Sequence, residues 1–527
     1  MPSPRIYASQ YPPVEVPTTP IFETVLAHAA ERGDHPALID GVTGETISYA
    51  QLAHQVDRLA AGLAELGVRP GDVVALHSPN TILFPVVFFG TAKAGATVTT
   101  LSALATAKDI ERQLADSGAT LVITVGALLA QAVAGAGDRP VWTCDRVEGH
   151  PCIQDLFVST GPVPEFEVNA ADDVAVLPYS SGTTAMPKGV MLTHASIGVN
   201  LRQAEAMHPV GPEDRIIAVL PFFHIYGMIV LLELPLRNGA TVVVLPKFDL
   251  LQFLDVLEHH RITRAYVAPP IVLAMAKHPA VEGRDFSALR YVLSAAAPLD
   301  AELAGAASVR LNVEVAQGYG MTELSPGTHT VPDGAAAEAP PGTVGRMWPN
   351  TEARLVSLDT GADVEAGEAG ELWIRGPQRM KGYFGLPEET DTMIDADGWL
   401  HTGDIARVDD AGWWFIVDRA KELIKYKGYQ VAPAELEAVL LTSPDVADAA
   451  VIGVYDEAGD EVPKAYVVRA PGSTATEDDV LAFVADHTAR YKRVRQVEFI
   501  DAVPKAASGK ILRRELRARE KAAGAQA

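Results

Sequence analysis

The feature that most limits the fold of this chain is an alternation, sustained from about residue 45 to residue 320, between short β-branched apolar runs and stretches of helical period. DVVALHS (72–78), TLVITV (120–125), VAVLPYS (174–180), RIIAVLP (215–221), ATVVVLP (240–246), AYVAP (265–269) and YVLSA (291–295) read as buried strands. Runs of that length and composition suit strands covered on both faces, and the intervening helices supply the cover. The pattern predicts an α/β fold: a large N-terminal unit of two stacked α/β layers. A helix is expected to start at Ser48, with Leu52, Val56, Leu59, Leu63 and Leu66 on one face.

The style changes after Glu323. A Gly-, Pro- and Ala-rich stretch (333–345) leads into EARLVSL (352–358), GELWIRG (370–376) and WWFIVD (413–418), which read as hairpin strands of a small antiparallel, β-barrel-like unit. After Asp418 comes an α+β segment of about a hundred residues. The expected division is 1–418 and 419–527, with no fixed-period repeat.

Composition narrows the function. With 48% apolar and 21% charged residues the chain suits a soluble globular protein with ample core, not a disordered or fibrous one. Its 43 Lys and Arg against 67 Asp and Glu leave a net charge of −24, opposed to nonspecific nucleic-acid binding. Two cysteines, Cys144 and Cys152, exclude a disulfide framework and a four-cysteine zinc site, and suit a reducing cytoplasm. The most apolar stretch, 218–236, is long enough to span a membrane, but it contains Pro221, His224, Glu233 and Pro235 and reads as a buried strand–turn–helix. The Pro-rich N-terminus lacks a signal-peptide apolar core and the C-terminal Gly-Ala-Gln-Ala is no peroxisomal signal, so a cytoplasmic location is expected. Within this acidic chain, residues 490–521 hold eleven Lys and Arg against four Asp and Glu. They read either as a solvated terminal helix or, for some, as cations for a polyanionic substrate.

Tyr179-Ser180-Ser181-Gly182-Thr183-Thr184-Ala185-Met186-Pro187-Lys188-Gly189 is the most informative string. It follows a predicted strand and combines hydroxyls, glycine N–H groups and one lysine, the inventory of a phosphate-cradling loop. The nucleotide-binding P-loop spacing of kinases and GTPases is absent. Taken with PFFHIYGM (221–228), GYGMTELSPG (318–327), VDRAKELIKYKGYQVAPAELE (417–437) and PKAASGKILRR (504–514), this string resembles the adenylate-forming superfamily, and within it the 4-coumarate–CoA ligases. Ala185 stands where that family usually has glycine; it adds a methyl group and removes no donor.

The resemblance implies ATP-dependent conversion of a carboxylic acid to an acyl adenylate, then displacement of AMP by the thiol of coenzyme A. It assigns Ser180, Ser181, Gly182, Thr183, Thr184, Lys188, Ala296 and Gln317 to ATP or AMP. Tyr319 would stack on adenine beside Gly318, and Thr322 would touch phosphate oxygens. Glu323 would hold Mg²⁺, which needs few protein carboxylates. Asp404 and Arg419 would anchor the ribose. Asp418 to Lys421 resembles the family hinge, about which the C-terminal domain presents Lys510 for adenylation and then a face with Lys425 and Gln430 for thioester formation. Lys427, Gly428 and Lys247 would meet CoA, although Lys247 also reads as an ordinary strand-end lysine. His224 would stand between acyl pocket and CoA tunnel, as a gate rather than a base, although a histidine among apolar residues also reads as core. Tyr226, Val230, Ala295, Ala297, Gly320, Pro326 and Gly327 would line a small, dry acyl pocket suited to cinnamate or 4-coumarate and tight for ring-methoxylated acids. Medium-chain fatty acids and transfer to a carrier-protein thiol remain open, and the oligomeric state reads as monomer or homodimer.

Overall fold

The helix Tyr49–Glu65 begins as its sequence dictates. The Ser48 hydroxyl accepts from the Gln51 N–H and the Gln51 side chain returns to the Ser48 N–H, satisfying two otherwise orphaned donors. Leu52, Val56, Leu59 and Leu63 are buried along one face, but Leu66 is not part of it. Gly67 takes φ +100°, and the Val68 and Gly67 N–H groups turn back to Leu63 and Ala64, so the helix closes one residue early and leaves Leu66 exposed.

The computed structural model describes residues 5–180, 187–426, 429–456, 460–506 and 509–524, with the side chains of 429, 430 and 522–524 outside the description. Two mixed sheets form the large unit. In the first, Val174–Val176, Thr97–Leu101, Val73–His77, Leu121–Thr124 and Val141–Thr143 run parallel, and Lys188–Thr193 and Gly382–Tyr383 extend one edge antiparallel. In the second, Glu314–Gly320, Tyr291–Ser294, Arg264–Val267, Arg215–Ala218, Thr241–Val244 and Pro36–Asp40 run parallel between antiparallel edges. A third sheet is antiparallel throughout and contains the expected Glu352–Val356, Gly370–Arg375 and Trp414–Arg419, joined by Leu400–Val408 and by Tyr7–Ala8 from the far end of the chain. Every strand predicted from an apolar run is present. VAVLPYS is cut in two, Val174–Val176 and Tyr179–Ser180; Pro178 between them has no N–H to give to a ladder.

The stretch 218–236 is the buried strand–turn–helix expected, its helical part being a π-helix, Gly227–Glu233, followed by the short helix Leu234–Asn238. Among the described residues no helix is long and apolar enough to cross a membrane. Both cysteines are free and buried.

One apolar cluster gathers core residues from Ile21 to Trp414, and separate clusters gather Ile424 to Val497 and Ala450 to Leu516. The C-terminal part packs the helices Pro433–Thr442, Glu477–His487 and Arg513–Gly524 on a three-stranded sheet, Val446–Tyr455, Glu461–Arg469 and Gln496–Phe499. Five of the eleven basic residues of 490–521 are engaged in ion pairs with carboxylates of this part. Lys492 pairs with Glu435, Lys505 with Asp448, Arg517 with Glu422, Arg519 with Glu498, and Arg513 with both carboxylate oxygens of buried Glu437 at 2.6 and 2.7 Å. Removing one side of the buried Arg513–Glu437 pair costs about 3–5 kcal/mol, so part of the basic excess is structural. Lys510 is not among these pairs.

Candidate active site

Ligand sites in open α/β sheets lie beyond the carboxyl ends of the parallel strands. Here three strands of the second sheet lead to residues singled out above: Arg215–Ala218 to His224, Tyr291–Ser294 to Ala295, and Glu314–Gly320 to Glu323, with Arg264–Val267 between the first two. Tyr226 ties two of these ends together, its hydroxyl donating to Val267 O at 3.4 Å and Leu293 O at 3.3 Å. Gly320 pairs with Gly327, and a Cβ on Gly320 would stand 2.1 Å from the Pro326 carbonyl, so only glycine allows this approach. Tyr226, Val230, Pro326 and Gly327 are buried and Ala295 half-buried. Ala296 takes φ +74°, a left-handed conformation unusual for alanine, and turns the chain back beside Gln317, whose amide oxygen accepts from Leu299 N–H.

Tyr179–Ser180 pairs with Lys188–Gly189, closing the hydroxyl-rich loop into a hairpin. Ser181, Gly182, Thr183, Thr184 and Ala185 lie outside the described residues. Its Ser180 end reaches Glu323. Ser180 Oγ donates to Glu323 Oε1 at 2.9 Å and the Tyr383 hydroxyl donates to the same oxygen at 3.0 Å. Glu323 is only 3% exposed, and its donors among the described residues are neutral hydroxyls. Such a buried carboxylate, with phosphate and water supplying the other oxygens, matches what Mg²⁺ takes from a protein. Among the described residues no group of three or more His, Cys, Asp and Glu could make an all-protein cage. Lys188, expected on phosphate, pairs with Glu389 and lies over the Tyr383 ring.

On the other side of the site, Tyr319 donates its hydroxyl to Asp404 Oδ2 at 2.6 Å, and Arg419 Nε stands 3.3 Å from Asp404 Oδ1. Asp404 and Arg419 are direct partners across two antiparallel strands, which explains how residues fifteen apart meet. Asp418, beside them, accepts the N–H of Arg419 and that of Ala434 at the start of the helix Pro433–Thr442. Asp418, expected at a hinge, therefore caps the first long helix of the C-terminal part.

Lys510 enters this pocket from the C-terminal part. Gly509, at φ +84°, sets its loop tip against Ala268 and Pro270, where a Cβ would come within 3.3 Å of each. Burial, reinforced by Arg419, lowers the Lys510 ammonium to a pKa of about 8, while Asp404, Glu323 and Glu422 oppose the fall. If the ammonium assists adenylation, as the family resemblance implies, kcat/KM for that step is expected to hold steady below about pH 8 and to fall above it. The break in kcat should lie higher, since bound nucleotide phosphates favour the cation; coincident breaks in the two profiles would count against this placement.

His224 is lowered to a pKa of about 4 by burial, with the Lys510 charge adding to it, so it is neutral at pH 7. Its Nδ1 accepts the Tyr226 N–H at 3.3 Å. The ring hydrogen therefore sits on Nε2, which makes His224 a donor to an anion and not a proton acceptor at that nitrogen. Lys425 is exposed, with its N–H held by Glu461, and Lys247 and Lys421 are exposed too. Lys427 and Gly428, and the side chain of Gln430, lie outside the description. Tyr383 has no sequence motif to announce it; its signal is one aromatic pair between Gly382 and Gly385.

The sequence pattern of the AMP-binding enzyme family matches residues 25–384, and that of the AMP-binding enzyme C-terminal domain matches 435–510. The chain belongs to the AMP-binding enzyme family. The family resemblance read from the motifs is thus borne out. Among its relatives, 4-coumarate–CoA ligase 5 of Oryza sativa subsp. japonica is 42% identical over 98% of both chains. The anthranilate CoA ligase AuaEII, solved with anthranoyl-AMP, superposes with a TM-score of 0.89 at 26% identity, covering 97% of this chain and 99% of that one. ATP-bound MatB from Rhodopseudomonas palustris gives 0.86 at 28% identity over 95% and 99% of the two chains, whereas its apo form gives 0.76.

Proposed function

We propose that this AMP-binding enzyme is an ATP-dependent carboxylic acid–CoA ligase for cinnamate- and 4-coumarate-type aryl acids. The observation that carries the reading is the convergence of Lys510, from the C-terminal part, on the pocket holding Glu323 and Asp404. A carboxylate and an ATP phosphate repel each other, and a desolvated cation beside both lowers the cost of their meeting. An acid oxygen bonds to the α-phosphorus, the bond from that phosphorus to the bridging oxygen breaks, and pyrophosphate leaves. Asp404 and Arg419 hold the ribose, Tyr319 the base, and His224 Nε2–H orients the acid carboxylate. Mg²⁺ at Glu323 would screen the phosphate charge. Domain motion about 418–421 then withdraws Lys510 and brings in the face with Lys425; the sulfur of CoA bonds to the acyl carbon and AMP departs. The better superposition on ATP-bound than on apo MatB supports assigning the present arrangement to the first step. Two buried free thiols fit the cytoplasm as the compartment.

Apart from Tyr226 the side chains assigned to the acyl pocket are small and apolar, and none of those assigned carries a charge for a substrate amine. Pyrophosphate release measured over a panel of aryl and alkyl acids, with and without CoA, tests the assignment. Cinnamate and 4-coumarate are expected to give the highest kcat/KM; faster turnover of medium-chain alkyl acids would reassign the substrate. Ala295→Gly should raise kcat/KM for ring-methoxylated acids about tenfold, the worth of roughly one to two methylene-sized contacts. No gain there would remove Ala295 from the pocket wall.

A further inference from the structure

The turn that carries His224 belongs to the second sheet, yet it is held by side chains of the first. Asn80, 3% exposed, follows the strand Val73–His77. Its Oδ1 accepts the Phe222 N–H at 2.7 Å, and its Nδ2 donates to Leu220 O at 2.9 Å and to Ala218 O at 3.3 Å. One N–H and two carbonyls fix which way the amide faces. Thr100, also 3% exposed and near the end of the strand Thr97–Leu101, donates its hydroxyl to Phe223 O at 2.8 Å. The Thr100 carbonyl is itself held by Gln113 Nε2 at 3.0 Å. Residues 220, 222 and 223 are thus all bonded to the first sheet immediately before His224. Within the turn, His224 N–H reaches Pro221 O at 3.1 Å, and Gly227 packs so close that a Cβ would lie 2.1 Å from the same carbonyl.

We propose that Asn80 and Thr100 are positioning residues for the reaction: they set the backbone from which His224 Nε2–H meets the acid carboxylate. The proposal rests on the reading of His224 given above. The turn has no regular ladder of its own at 220–223, so its carbonyls would otherwise seek other donors. Asn80 and Thr100 remove that choice, and the imidazole, further fixed by the Tyr226 N–H, is left with one placement. Errors of about 1 Å in a group that orients a reactant cost about 10²-fold in rate.

The test is a double-mutant cycle between Thr100→Val and His224→Ala, read as kcat/KM for the acid in pyrophosphate release, with the KM for ATP and the thermal midpoint alongside. Thr100→Val keeps the buried shape and loses only the donor, so it serves even if Asn80→Leu does not fold. Thr100→Val is expected to lower kcat/KM for the acid by about tenfold with the KM for ATP unchanged, and Thr100→Ser to restore it. In the His224→Ala background Thr100→Val should change nothing further, since a residue acting through the imidazole has nothing left to position. A silent Thr100→Val, or a loss that adds in full to that of His224→Ala, would overturn the proposal while leaving His224 in its role. A silent His224→Ala would overturn the role of His224 and the proposal with it.

Discussion

Lys510→Ala is expected to slow adenylate formation by about 10²–10³-fold, the range found when one preorganised donor to developing charge is removed. Thioester formation from a supplied acyl adenylate should stay within about threefold of wild type if, as proposed, that half-reaction draws on the face with Lys425. The reason lies in where the ammonium sits. It is desolvated among Asp404, Glu323 and Arg419, and its pKa of about 8 shows that the pocket tolerates the cation at a cost. Stored unfavourable solvation of this kind is released when phosphate and carboxylate arrive. The variant should lose little thermal stability, since it removes a desolvated cation while Asp404 keeps Arg419 and Glu323 keeps its two hydroxyl donors. Quenched-flow measurement of the two half-reactions, with a thermal melt, checks all three statements. Equal losses in both half-reactions would contradict the two-face scheme.

Glu323→Gln is the second large effect. The amide oxygen of glutamine can still accept from Ser180 and Tyr383, so the local hydrogen bonds survive and the fold should be intact. What disappears is the negative charge. Affinity for ATP in the presence of Mg²⁺, measured by calorimetry, should fall, the Mg²⁺ concentration for half-maximal adenylation should rise, and kcat should drop about 10²-fold. Unchanged Mg²⁺ dependence would take the metal away from Glu323.

Much of this site is legible in the amino-acid sequence, because its parts are contiguous strings. The hairpin 179–189, the Thr322–Glu323 turn, Asp404 and Lys510 each sit in a motif, and the fold brings Ser180, Glu323, Tyr319, Asp404, Arg419 and Lys510 into one pocket. Tyr383, Glu389, Asn80 and Thr100 are not legible in that way. Their hydrogen bonds and ion pairs span from 60 to 201 residues of sequence. Such contacts leave no period and no composition bias. Periodicity also misleads once: Leu66 keeps the helical spacing, but Gly67 ends the helix before it can be buried. The basic tail misleads for a related reason. Charge counts cannot show that Arg513 faces buried Glu437, or Arg517 half-buried Glu422, on other elements.

Activation of the acid through a bond from its own oxygen to the α-phosphorus of ATP leaves an isotopic record. 4-Coumaric acid labelled with ¹⁸O in the carboxyl group is turned over with ATP, Mg²⁺ and CoA, and the nucleotide released is analysed by mass. AMP carrying one ¹⁸O per thioester formed is the result expected; unlabelled AMP, or ADP and phosphate as products, would contradict it.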